Sequence, residues 1–65
     1  MFYNVSLRQI NIGDAFRRNP TVAAEFKLTH YDSVARVYCA VDRNGMFHEF
    51  KPKTKVYARN SQIVA

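Results

Sequence analysis

Sixty-five residues suit one domain, residues 1–65, and no apolar run approaches the length that crosses a bilayer. The composition, 48% apolar with five Phe and four Tyr, makes a compact core feasible without a metal, and the lone Cys39 excludes an intramolecular disulfide. Ten Lys or Arg against five Asp or Glu give a formal net charge of +5, which invites a polyanion but also serves solubility alone.

The first stretch, residues 1–12, carries Phe2, Val5, Leu7, Ile10 and Ile12. It has no basic leader ahead of an apolar segment, so together with the single thiol it predicts a cytoplasmic protein, neither exported nor membrane-embedded. The same residues are core or, if the chain pairs as a homodimer, the interface. Gly13-Asp14 reads as a turn, followed by a short strand that carries Phe16 inward and brings out Arg17 and Arg18 before Asn19-Pro20.

Residues 21–30 admit two readings. Val22, Ala24, Phe26, Leu28 and His30 alternate with Thr21, Ala23, Glu25, Lys27 and Thr29, a period of two that predicts a strand. Asn19 as N-cap, Pro20 at the first helical position and several strong helix formers predict a helix instead. The helical stripe of Val22, Phe26 and His30 is thin, so the strand is preferred.

After a turn at Tyr31-Asp32-Ser33, residues 33–41 alternate Val34, Arg36, Tyr38 and Ala40 with Ala35, Val37, Cys39 and Val41. Their β-branched and aromatic content predicts a strand, with the cysteine-bearing side inward and Tyr38 outward beside Arg36. Asn44-Gly45 predicts a tight hairpin, and Met46 to Phe50 form the return strand, stopped by Pro52. Residues 55–59 form a last strand with Val56 and Ala58 on one side, suited to a sheet edge by Lys55 and Arg59. The resulting fold class is all-β: a small, strongly bent antiparallel meander or Src-homology-3-like barrel of four to five strands. The alternative is α+β, with a helix near residues 20–30 packed on a three-stranded antiparallel sheet.

Two histidines, scattered carboxylates and no Gly-rich loop or nucleophile elbow argue against an enzyme, and no cofactor is expected. His30, Cys39 and His48 share neighbouring strands, but a structural zinc site takes four ligands in close pairs, which the chain does not offer. Lys51, Lys53 and Lys55 recur every second residue, so an extended backbone aligns them with Tyr57 and Arg59 in a row that suits phosphates. The bland reading of that row is charge protection of an edge strand.

The four tyrosines, Tyr3, Tyr31, Tyr38 and Tyr57, are too many to bury in so small a domain. The leading expectation is a non-catalytic domain of low sequence selectivity for DNA or RNA. Phosphates fall to Arg17, Arg18, Arg36, Lys51, Lys53, Lys55 and Arg59, and stacking to Tyr38 and Tyr57. The alternative is a protein–protein interaction module, such as a small viral or mobile-element regulator or inhibitor that meets an acidic surface on a host protein.

Overall fold

The computed structural model describes residues 1–64 and is all-β, as the alternation predicts. The described strands are β1 (Tyr3–Ser6), β2 (Ala15–Phe16), β3 (Phe26–Asp32), β4 (Val37–Asp42), β5 (Phe47–Phe50) and β6 (Lys55–Ala58). Short 3-10 turns, Leu7–Gln9 and Asn60–Gln62, follow β1 and β6. β2, β3, β4 and β5 form one antiparallel sheet in that order, and β1 pairs antiparallel with β6 in a second. An isolated bridge between Arg17 and Tyr57 joins the two sheets. The ring stays open, because the outer edge of β5 pairs with no strand among the described residues, so the bent arrangement is not a closed barrel.

Residues 20–30 adopt neither the full strand nor the helix. Asn19 behaves as a turn former: its side chain accepts from the Thr21 N–H at 3.0 Å and its carbonyl from the Val22 N–H at 3.2 Å. A single turn does not propagate, since Val22, Ala23 and Ala24 are exposed and supply no apolar stripe to bury. Strand pairing starts only at Phe26, opposite Phe16, because the Arg17 backbone beyond that pair bonds to Tyr57 instead.

A β-bulge at Thr29 then reverses the expected faces. The register shifts between Leu28 and His30, and the Thr29 hydroxyl donates to the Cys39 carbonyl at 2.8 Å. Beyond this extra residue His30 falls opposite Cys39 and Tyr31 opposite Tyr38. Ala40, fully buried opposite Leu28, shares the inner face with Tyr38, so Cys39 lies on the other face of the sheet, where it is nonetheless buried at 9% exposure. That inverts the sequence expectation for β4, which rested on side-chain size and could not see which face the second sheet would cover. The strand is also shorter than expected, because residues 33–36 form the loop between β3 and β4.

β6 is likewise not an edge. β1 pairs along one side of it, and Arg17 bridges Tyr57 on the other. Its inward residues are as expected, since Val56 and Ala58 are completely buried. Leu7, Ile10, Phe16, Leu28, Ala40 and Phe50 complete the core with them, where the two-stranded sheet covers the inner face of the four-stranded one. Each large apolar side chain so buried contributes about 1.5–3 kcal/mol against the chain entropy. Residues 1–12 thus supply Leu7 and Ile10 to the core, while Met1, Tyr3 and Ile12 remain exposed.

The chain ends are tied by a small local symmetry. Gln9 accepts from the Ser6 N–H at 2.9 Å, and Gln62 accepts from the Arg59 N–H at 2.8 Å, so each glutamine caps its own 3-10 turn. The next residues, Ile10 and Ile63, then pair antiparallel. Bonds from the Asn11 N–H to the Gln62 carbonyl and from the Val64 N–H to the Gln9 carbonyl flank that pair.

Candidate nucleic-acid interface

The turn that follows β5 decides where two lysines point. Pro52 lacks an N–H and cannot continue a ladder, and the Thr54 N–H bonds back to the Lys51 carbonyl at 3.0 Å, closing a turn over residues 51–54. The backbone is therefore not extended there, and the expected straight row from Lys51 to Arg59 does not form. Lys51 and Lys53 instead face a cleft of about 470 Å³ that also receives Arg8, Arg36 and Tyr31, with Ala35, Val37 and Pro52 as its apolar wall. The Arg8 N–H bonds the Pro52 carbonyl at 3.3 Å, which holds the first 3-10 turn against this loop.

Arg36 reaches the cleft from a strained position. It has φ of +58°, in the left-handed region that disfavours an L side chain by about 1–2 kcal/mol. Asp32 stabilises the loop, its carboxylate accepting from the Val34 N–H at 3.0 Å and the Ala35 N–H at 3.1 Å. That carboxylate is adjacent in sequence to Tyr31 yet occupied by backbone, and none of the five acidic residues lines the cleft. The rings of Tyr31 and Tyr38 lie 4.8 Å apart between centroids, tilted by 56°. Tyr38 is half-buried against the core, whereas Tyr31 is 42% exposed.

The other expected site residues lie elsewhere. The Arg17 Nε donates to Glu25 at 3.0 Å, and Arg59 approaches the same carboxylate at 3.8 Å. Both guanidinium groups also sit on the Phe2 ring, at 4.5 Å and 4.9 Å from its centroid. These two cations are committed to fastening the N-terminal segment. Arg18 lies over Phe50 at 5.1 Å. Lys55 and Tyr57 occupy β6 opposite Ser6 and Asn4, with Lys55 exposed and Tyr57 half-buried.

Sequence reasoning singled out Arg36, Lys51 and Lys53 and missed Arg8 and Tyr31 as partners. Arg8 stands in a stretch that the sequence marks by its apolar residues, and Tyr31 falls in the expected turn at residues 31–33. Carrying the alternation of residues 26–30 onward would have kept Tyr31 in the strand, though only the bulge turns it to the inner face.

His30, Cys39 and His48 do not converge, since His48 lies opposite Ala40 on the inner face while Cys39 and His30 face outward. Among the described residues no three His, Cys, Asp or Glu side chains are grouped to hold a metal ion. Burial pushes the Cys39 thiol above its ordinary range, and the charges of Glu49 and Asp32 add to the shift. Among the described residues no helix is long and apolar enough to cross a membrane. Comparison with protein-family models, curated proteins and solved structures finds no match to this chain.

Proposed function

We propose that the protein binds nucleic acid without catalysis and with low sequence selectivity, holding phosphates in the cleft between Arg8, Arg36, Lys51 and Lys53. One observation carries this reading: four cations from three separate chain segments line one cleft whose lining residues include no carboxylate. Such a collection repels itself in the free protein and is relieved by a polyanion, whose condensed counterions are released on binding. Low selectivity follows from the cations themselves, which recognise backbone phosphate and carry no base-specific pattern.

The test is a titration of a labelled oligonucleotide over a salt series. Affinity should fall on added salt with a log–log slope no steeper than about −3, because each phosphate on a single strand contributes roughly −0.7. Lys51→Glu with Lys53→Glu should abolish binding while leaving the fold intact. A flat titration at low ionic strength overturns the reading.

A second reading, docking to another protein, is favoured by a different observation. Phe47 is 68% exposed on β5, the strand whose outer edge is unpaired among the described residues, and it lies opposite Val41 on the uncovered face of the sheet. A partner strand adding to that edge would gain both backbone bonds and an aromatic contact. Binding of that kind depends on Phe47 and changes little with the two lysine reversals beyond a slower association.

A further inference from the structure

Resting on the nucleic-acid reading above, we propose that the cleft takes an unpaired nucleotide stacked on Tyr31, so that the protein selects single-stranded over double-stranded nucleic acid. The cations alone do not make this distinction, because both forms present phosphates. Tyr31 does. Its ring is held by Tyr38 at 4.8 Å, and Tyr38 in turn packs on the core, so little side-chain freedom remains to be lost when a base settles on the exposed portion.

The bulge at Thr29 is what delivers this ring to the cleft. Without the extra residue, Tyr31 would share the outward face of Lys27, on the opposite side of the sheet from Tyr38. The local backbone thus places an aromatic ring beside Arg36, Lys51 and Lys53, and the apolar side chains of Ala35, Val37 and Pro52 can accept the sugar and base edges. The cleft volume of about 470 Å³ is of the order of small-ligand sites, which suits one nucleotide whose base lies on Tyr31 and whose phosphates meet the four cations. A base inside a duplex is stacked on both faces and offers none to a protein ring, whereas an unpaired base does.

The experiment compares an unstructured single strand, a blunt duplex of the same sequence and the isolated nucleotide 5′-monophosphate. They are tested against the wild-type protein, Tyr31→Phe and Tyr31→Thr. The single strand should bind wild type and Tyr31→Phe about ten-fold more tightly than the duplex, as expected for one stacked base. Tyr31→Thr, which keeps β propensity, should lose that preference yet retain the salt dependence set by the four cations. Equal affinity of wild type for strand and duplex, or a preference that survives Tyr31→Thr, overturns the inference and leaves the broader reading standing. A monophosphate that binds as tightly as the strand also overturns it, by making the site one for free nucleotide. No binding to any of the three removes both.

Discussion

Arg17 and Tyr57 exchange two backbone hydrogen bonds of 2.7 Å each, and this bridge joins the two sheets directly. The bridge also explains why the strand after Phe16 stops pairing with β3. Once the Arg17 backbone is committed to β6, its side chain reaches back to Glu25 across the opened loop and covers Phe2 on the other side. One residue thereby connects the N-terminal segment, the long loop and β6.

Hydrogen exchange should report this joint. The amides of Arg17 and Tyr57 are expected to exchange as slowly as that of Leu28, through global opening alone. Rapid exchange at both positions would show that the two sheets separate without unfolding.

Phe16 is the largest fully buried side chain and contacts the rings of Phe26 and Phe50 at centroid distances of 5.6 Å and 5.8 Å. Phe16→Ala should destabilise by about 3–5 kcal/mol. A domain of this size has roughly 3–10 kcal/mol in total, so the variant should be largely unfolded or melt far below the wild type. A calorimetric midpoint within a few degrees of wild type would contradict the packing described.

Asp42 organises the β4–β5 hairpin. Its carboxylate lies 2.9 Å from the His48 Nε2 and accepts from the backbone N–H groups of Asn44 at 2.8 Å and Met46 at 3.0 Å. The bond to His48 is the largest influence holding its pKa below the usual carboxylate value, with the Met46 and Asn44 bonds adding to it against a burial effect of opposite sign. A folded pKa below the unfolded one means the contribution is complete above the ordinary carboxylate range and is lost as pH falls through the folded value. Urea midpoints measured over an acid pH series should therefore fall more steeply for wild type than for Asp42→Asn. Parallel acid limbs would refute the assignment.

Under the proposed nucleic-acid reading, Arg36 sets stability against binding. Arg36→Gly relieves the positive φ, worth about 1–2 kcal/mol, but adds chain entropy to the unfolded state worth roughly 0.5–1 kcal/mol. The net expectation is a stability equal to wild type or up to about 1.5 kcal/mol higher. Oligonucleotide affinity should fall, and the salt slope should shrink by about 0.7. A variant that is both less stable and equally tight in binding would contradict both assignments.

The all-β class, the inward Phe16, Val56 and Ala58, and the turns at Gly13 and Gly45 were legible because each follows from a local rule. Alternation marks strands, and both glycines take the positive φ that their turns need, +94° and +81°. The Asn-Gly hairpin differed in detail: only Gly45 has positive φ, and Asp42, rather than Asn44, supplies the bonds that shape the loop.

The faces of β4 and the end of the basic row were not legible. Alternation names two sets of residues and leaves open which one a second sheet will cover. A one-residue bulge at Thr29 exchanges those sets within β3 without any mark in composition. The regular spacing of Lys51, Lys53 and Lys55 likewise implied a line only while the backbone stayed extended, and the turn closed by Thr54 ends it.

What the chain by itself determined is its strand-forming pattern, its turn positions and its excess of positive charge, since these depend on neighbours a few residues apart. Tertiary structure alone decided which cations share a cleft and which are neutralised. Arg8, Arg36 and Lys51 are far apart in sequence, and whether a charge is free depends on where Glu25 and Asp32 come to rest after folding.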